Sequence, residues 1–268
     1  RAGLGLQNSG GALWGGWTVG VACGGGVAWP AGSLDAAGGG GGRVQVPALF
    51  VLMPGVAPAT LLGTNKFAGI WGTGAAVIQY SRQVPMEWRA TLPICAAALV
   101  FGYLGAHTVA LLDPTVFMPL VLVMLFAVLG YTLWKKDLGS LHAPKLSGNK
   151  LISVGLATGA LVGFYDGFFG PGTGSFLVFA FVGLFGFSFL AASASAKLVN
   201  LITNLAALGY FASHGNVLYQ IAAPMAVFNV LGSLAGSRLA IKKGSGFVRA
   251  IFVLVVSALI LRFAFDLL

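Results

Sequence analysis

Long apolar runs alternate with short polar loops along the whole chain. Polar and apolar residues do not alternate one by one, as they do in a transmembrane barrel, so the pattern predicts helices. At about 20 residues per crossing, the chain has room for about eight to ten membrane segments. The apolar runs cover approximately residues 12–34, 44–56, 59–81, 90–112, 116–134, 151–169, 174–187, 190–212, 219–241 and 249–267.

The composition also indicates an integral membrane protein. Of the 268 residues, 57% are hydrophobic and 8% are charged, whereas soluble domains carry about 25% charged residues. The net charge of +9 requires no nucleic-acid partner, because the basic residues gather in loops such as 135–150 and 242–249. Basic loops of this kind are typical of the cytoplasmic side of a membrane protein. No signal peptide is predicted, since the segment 1–30 lacks a basic-then-apolar layout.

Two of the apolar runs, 44–56 and 174–187, are too short to cross about 30 Å of hydrocarbon as helices. Each follows a glycine-rich break, AGGGGGR at 37–43 and GPGTG at 170–174. Broken backbone is tolerated at membrane depth only where protein or water covers it. The sequence therefore predicts discontinuous helices or re-entrant hairpins at these two positions.

The two halves of the chain resemble each other when one is slid along the other without gaps. The shift that aligns Asp35 with Asp166 also aligns Lys66 with Lys197 and Pro93 with Pro224. The aspartate and lysine matches carry the most weight, because the chain has only five Asp and eight Lys. We therefore predict two homologous halves. The predicted parts are a weak glycine-rich segment at 1–29, a first membrane repeat at 30–134, a basic cytoplasmic linker at 135–150 and a second membrane repeat at 151–268.

Loop charges predict the relative orientation of the halves. The loop at 81–89 contains Arg82 and Arg89, whereas its counterpart at 213–217 contains no Lys or Arg. Because basic loops face the cytoplasm, matching loops are expected on opposite sides of the membrane. This requires an odd number of crossings in each half, and five fits the apolar runs. The predicted fold is thus an all-α polytopic membrane protein with two inverted-topology repeats of about five segments each, an architecture common in secondary transporters.

Asp35 and Asp166 each lie just before the glycine-rich break of their half. An ionised carboxylate inside a bilayer costs several kcal/mol, so such a residue normally faces the bundle interior or a watery cavity. One interpretation is coupling to an ion or a proton. The other is structural, since aspartate can accept hydrogen bonds from backbone N–H groups freed at an interrupted helix. The sequence leaves both open.

The glycine-rich breaks are candidate anion sites. Backbone N–H groups at the start of the helix that follows a break attract anions, and the helix dipole adds to the attraction. The alternative is that the glycines only permit tight helix packing. The candidate residues at the breaks are Gly40, Gly41, Gly170, Gly172, Thr173, Gly174 and Ser175.

Lys66 and Lys197 both lie well inside their apolar runs, about two helical turns from the start. At that depth an ammonium group is a candidate for binding a small oxyanion, although a long side chain can also snorkel to an interface. Neighbouring hydroxyl and amide groups would add donors to the two lysines. These neighbours are Thr64, Asn65, Asn200 and Asn204. No group of residues has metal-ligand or nucleophile–base spacing, so no cofactor, metal or enzymatic activity is predicted.

The segment GFYDGFFGPGTGSF followed by SAKLVNLITNLAAL closely resembles the second half of the TauE/SafE sulfite exporter family. In the first half, AGSLDAAGGGGG, VPAL and ATLLGTNKFAGIWGT resemble the N-terminal signature of the same family. The resemblance covers roughly residues 30–268 and is nearest to the YfcA-like branch of bacterial inner-membrane proteins. Residues 1–30 are richer in glycine than the apolar helix usual for the family.

This resemblance implies a multi-pass inner-membrane transporter, usually an exporter, for small sulfur-containing anions such as sulfite or organosulfonates. The expected partners are that anion and the lipid bilayer. Small-residue patterns such as GSLAGSR at 232–238 suit helix packing within one subunit or in a homo-oligomer. The alternatives are a cation-coupled or channel-like ion pathway that depends on the aspartates, and a membrane scaffold that transports nothing.

Overall fold

The structure, a computed structural model, describes residues 24–38, 42–53, 55–84, 86–112, 123 and 145–243. Within these ranges it contains helices and no strands, which confirms the predicted all-α class. A π-helical turn at Gly24–Ala28 precedes eight α-helices among the described residues. The helices are α1 (Trp29–Gly38), α2 (Gly42–Leu52), α3 (Pro58–Ser81), α4 (Trp88–Ala110), α5 (Gly148–Phe168), α6 (Thr173–Gly183), α7 (Phe189–Ser213) and α8 (Tyr219–Lys243).

Helices α2 and α6 are short, as the glycine-rich breaks predict. Each has 11 residues, which is about 16 Å of helix and half the thickness of a hydrocarbon core. Before α6 the chain turns through Gly170 and Gly172, whose φ angles are +93° and +94°. Only glycine adopts such angles without strain, so the sequence GPGTG ends α5 and starts a new helix within one short turn. Part of the corresponding break before α2, at 39–41, lies outside the described residues.

Two pairs of helices pack closely through small residues. Helix α5 lies against α4, where Gly167 is so near the backbone of Gly102 that a side chain would overlap the Gly102 carbonyl oxygen. Helix α8 lies against α1 in the same manner, with Gly232 beside the backbone of Trp29. Approach of this kind is how helices gain contact in a membrane, where lipid removes the hydrophobic drive between them.

The buried side chains form two apolar clusters with a polar layer between them. One cluster contains Leu61 and Leu62 of α3 and Phe211 of α7. The other contains Tyr80, near the opposite end of α3, and Ala192, near the opposite end of α7. Polar residues occupy the middle turns of both helices, so the chain buries its polar groups at one level of the bundle.

Two helices in the described part of the chain are long and apolar enough to cross a bilayer by length and composition, α4 and α5. Helices α3, α7 and α8 have 24 or 25 residues each, long enough for a crossing, but they contain the buried polar groups of the middle layer. The apolar runs at 116–134 and 249–267 lie outside the described residues, apart from residue 123. The number of crossings therefore stays a prediction.

Gly167→Ala tests the close packing of α4 and α5. We expect the variant to be destabilised by about 1–3 kcal/mol, because the added methyl group overlaps backbone atoms that have no rotamer with which to yield. Thermal unfolding of the purified protein in detergent measures the effect. The matched control is Gly209→Ala in α7, where nothing lies within 4 Å of the added carbon. Equal melting temperatures for the two variants would contradict the packing described.

Candidate functional site

A polar cavity lies in the middle layer between the two apolar clusters. It takes side chains from several helices and borders the break before α6. Its volume is about 30 Å³, enough for one or two water molecules. The lining residues are Asp35, Gln45, Asn65, Lys66, Gly69, Thr73, Asp166, Gly170, Gly174, Asn200, Asn204 and Asn229.

Lys66 of α3 forms a buried ion pair with Asp166 of α5. Its Nζ lies 2.7 Å from Asp166 Oδ2 and also donates to Asn204 Oδ1 at 2.9 Å. The exposed fraction of each charged side chain is 3% or less. Removing either charge alone would leave the other buried and unpaired, which typically costs about 3–5 kcal/mol.

Lys197 of α7 forms a second pair, with Asp35 of α1. Its Nζ lies 3.3 Å from Asp35 Oδ2 and donates to the backbone carbonyl oxygen of the same residue. Thr73 of α3 adds a hydrogen bond, since its hydroxyl donates to Asp35 Oδ2 at 3.3 Å. The second carboxylate is therefore held by a lysine and a hydroxyl, whereas the first is held by a lysine that also bonds an amide.

Each ion pair joins a residue that precedes the 135–150 linker to one that follows it. The lysine at 66 pairs with the aspartate at 166, and the lysine at 197 pairs with the aspartate at 35. Neither lysine pairs with the aspartate that precedes it on its own side of the 135–150 linker. Both lysines are buried, with 2% and 1% of their surface exposed, so neither snorkels to an interface.

The break before α6 borders the Lys66 ammonium group. Gly170 leaves room for it, because a Cβ at that position would lie 3.2 Å from Lys66 Nζ. Gly174, in the first turn of α6, lines the cavity as well. An anion seated here would meet both a lysine and the positive end of a helix.

Amide groups line the cavity as well. Asn229 donates to the carbonyl oxygen of Ala68 at 3.2 Å and lies 3.5 Å from Gln45 Oε1. The Gln45 Nε2 and Asn65 Oδ1 atoms are buried and have no hydrogen-bond partner among the described residues. A buried N–H group without an acceptor is costly, so it marks a place where water or a ligand oxygen is expected.

The structure brings together most of the residues that the sequence predicts for the site. Lys197 does not line the cavity but supports Asp35, which does. Thr64 is directed elsewhere: its hydroxyl donates to the Thr60 carbonyl and accepts from the Leu218 N–H. The Thr173 hydroxyl donates to the Gly170 carbonyl and so stabilises the turn. Gly172 and Ser175 belong to the same turn without lining the cavity, and Gly40 and Gly41 lie outside the described residues.

Four residues that line the cavity are not predicted from the sequence: Gln45, Gly69, Thr73 and Asn229. Gly69 and Thr73 align with Asn200 and Asn204 under the shift that places Asp35 on Asp166, so applying that shift to the two asparagines would have found them. Gln45 and Asn229 have no such signal, because Phe176 and Ala98 occupy the equivalent positions. Their contribution depends on tertiary packing alone.

The chain is similar to known membrane transporter proteins over nearly its whole length. A sequence model described as sulfite exporter TauE/SafE matches residues 13–263. The probable membrane transporter protein ORF9 of a Sinorhizobium species is 34% identical over 239 residues, covering 89% of this chain and 90% of that protein. A probable membrane transporter protein of Haemophilus influenzae is 32% identical over 90% of this chain and 92% of its own length. The probable membrane transporter protein YfcA of Escherichia coli is 33% identical over 90% and 88%.

No solved structure matches the chain significantly. The family match and these relatives nevertheless decide the classification: the chain belongs to the TauE/SafE sulfite exporter family.

A double-mutant cycle tests the first ion pair. We expect Lys66→Met and Asp166→Leu each to lower the free energy of unfolding by about 3–5 kcal/mol, because each leaves one charge buried without a partner. The double variant removes both charges and should be more stable than either single variant. Thermal unfolding in detergent, with the four proteins compared at one pH, provides the measurement. Additive losses in the double variant would show that the two side chains do not pair.

Proposed function

We propose that this member of the TauE/SafE family is a secondary transporter that exports small sulfur-containing anions, such as sulfite or organosulfonates, by alternating access. The substrate site is the polar cavity between the two halves, and the protein lies in the bacterial inner membrane as a multi-pass protein. The observation that carries the proposal is a pair of buried lysines, each bonded across to an aspartate of the other half, at a cavity rimmed by amides and a broken helix.

The helix bounds support the two predicted repeats. Helices α2, α3 and α4 begin at positions 42, 58 and 88, whereas α6, α7 and α8 begin at positions 173, 189 and 219. The three intervals are identical, and each equals the shift at which the sequence aligns its aspartates and lysines. Helices α2 and α6 also end at aligned positions, Leu52 and Gly183. We infer two structural repeats, within the predicted limits of 30–134 and 151–268.

The helix contacts support a two-fold relation between these repeats. Helix α4 packs on α5 and α8 packs on α1, so each repeat lays its fourth helix along the first helix of the other. The ion pairs follow the same exchange. Reciprocal contacts of this kind arise when two equivalent units are related by a two-fold axis. An axis in the membrane plane would give the inverted topology that the loop charges favour.

The cavity offers hydrogen-bond donors suited to a small oxyanion, beside the paired carboxylates of Asp35 and Asp166. Lys66 supplies a positive charge, the start of α6 supplies the positive end of a helix, and Gln45 Nε2 offers an N–H group that lacks an acceptor among the described residues. A sulfur oxyanion has several acceptor oxygens and no large apolar surface. Its oxygens can accept hydrogen bonds from donors of this kind.

The small size of the cavity supports alternating access. Its volume holds one or two waters, so a sulfite or sulfonate ion requires the cavity to widen. Both lysine–aspartate pairs join one half to the other, so widening of the cavity between the halves would loosen a pair. The break beside Gly170 is a point where the backbone can move with little loss of helix.

Replacing either lysine tests the proposed site. We expect Lys66→Met and Lys197→Met each to reduce the flux of sulfite and of an organosulfonate in proteoliposomes by at least tenfold. The reason is that a charge-assisted hydrogen bond to the anion, or the support of Asp35, is lost. Lys150→Met is the matched control, because Lys150 is an exposed residue at the start of α5. Flux at the control level through both the Lys66 and the Lys197 variants would remove the proposal.

A further inference from the structure

The charge of Lys66 is already balanced before any substrate enters the cavity. Its ammonium group lies 2.7 Å from the Asp166 carboxylate, and the second lysine of the middle layer is in contact with Asp35 in the same way. An anion added beside Lys66 would therefore bring a net negative charge into a buried site. Burying an uncompensated charge costs several kcal/mol, which a few neutral hydrogen bonds do not offset.

The described side chains of the helices around Asp166 offer it no positive charge besides Lys66. Helix α6 has no ionisable residue in its sequence. The basic residues of α4 and α5 are exposed and lie away from the cavity, at Arg89, His107 and Lys150. In α7 the cation is Lys197, which is joined to Asp35.

The other ionisable groups near the middle layer are engaged elsewhere. Cys95 of α4 packs against an apolar cluster, and Tyr165 of α5 donates its hydroxyl to the Pro171 carbonyl. Tyr80 of α3 donates to the Ala36 carbonyl, beside Asp35. The side chain of Arg43, at the start of α2, lies outside those described. Among the described groups, Asp166 is the carboxylate in contact with Lys66, so a proton bound there would remove the negative charge nearest the lysine.

We propose that a proton supplies the missing charge: the protein binds a monoanion together with one proton, which is taken up by Asp166. This proposal rests on the proposed function and adds its coupling ion. When a proton binds at an Asp166 carboxylate oxygen, Lys66 keeps its own proton and remains an ammonium group. Its hydrogen bond to the carboxylate is then free to pass to the anion.

The geometry around Lys66 favours this exchange. A carboxylate only accepts hydrogen bonds, whereas a carboxylic acid has an O–H group that donates. Protonated Asp166 can therefore turn from a competitor of the anion into a second donor to it. Asn204 Oδ1 continues to accept from Lys66 at 2.9 Å, so the ammonium group stays in place. Gly170 borders the same ammonium group without a side chain, since a Cβ there would lie 3.2 Å from Lys66 Nζ.

The second pair differs from the first, because the Asp35 carboxylate receives a hydrogen bond from Thr73 in addition to its contact with Lys197. In the proposal Asp35 keeps these contacts and the proton binds at Asp166. One proton then balances one monoanion, and the transported unit is electrically neutral. Its net direction follows the product of the proton and anion concentrations on the two sides. Export occurs when that product is larger in the cytoplasm.

Proton counting by isothermal titration calorimetry tests the proposal. The purified protein is titrated between pH 6 and pH 8, in buffers that differ in ionisation enthalpy, with two ligands of constant charge, methanesulfonate and taurine. We expect uptake of one proton with methanesulfonate and none with taurine, whose own ammonium group supplies the positive charge. The affinity for methanesulfonate should fall about tenfold per pH unit, because one proton binds with it, and the affinity for taurine should stay constant.

A carboxamide variant identifies the group that takes up the proton. Asp166→Asn leaves Lys66 permanently free for the anion, so it should lower the proton count for methanesulfonate from one to none and make its affinity independent of pH. Glu87→Gln is the control, because Glu87 lies before α4 and outside the cavity, and its count should equal that of the wild type. The wild-type counts decide the question even where a variant is too unstable to purify.

Two results would overturn the proposal, and they are distinguishable. If methanesulfonate binds without proton uptake and with an affinity independent of pH, the coupling is wrong and the anion site stands. If neither ligand produces heat or raises the melting temperature, the anion site itself is wrong and the coupling fails with it.

Discussion

The interaction on which the rest of this structure depends is the exchange of charges between two buried lysines and two buried aspartates. A lone ammonium group in the middle of a helical bundle is too costly to keep, and so is a lone carboxylate. Here each charge is held by a residue from the far side of the 135–150 linker. Packing in the middle layer therefore requires both parts of the chain, because each lysine depends on an aspartate of the other part.

Buried ion pairs of this kind add little net stability, but they favour one specific arrangement of the helices. Replacing a buried ion pair by apolar residues is often neutral or stabilising, whereas losing one member is severe. A chain that kept these four residues for stability alone would thus gain little. The proposed alternating access would give them a role, because helices could part along this layer of paired charges. The glycine contacts of α5 with α4 and of α8 with α1 would then keep each of those helix pairs together.

The sequence predicts many of the polar residues of the middle layer, because a charged residue inside an apolar segment is costly and therefore usually has a structural or functional role. Four charged residues are conspicuous in their apolar segments: Lys66, Lys197, Asp35 and Asp166. The glycines and the proline of GPGTG likewise indicate an interruption of the helix. What the sequence leaves open is the pairing, since distant lysines and aspartates become neighbours only through helix packing.

The residues that sequence reasoning missed or misplaced show the same limit. Gln45 and Asn229 reach the cavity through tertiary packing and lack polar equivalents in the other half. Thr64 shows the opposite error, because its position beside Asn65 suggested a ligand group, while its hydroxyl bonds to backbone atoms outside the cavity. A hydroxyl in a helix can always bond to the preceding turn, and the sequence does not say which partner it takes.

The central claim is that an anion enters the middle layer and takes the place of a carboxylate beside Lys66. Selenite, a heavier relative of sulfite, makes this visible, because selenium scatters X-rays anomalously. A crystal structure of the protein with selenite should show one anomalous peak in the cavity, with selenite oxygens about 3 Å from Lys66 Nζ and the Asp166 carboxylate moved off the lysine. A peak confined to the outer surface, with the Lys66–Asp166 contact intact in crystals soaked to saturation, would contradict the account.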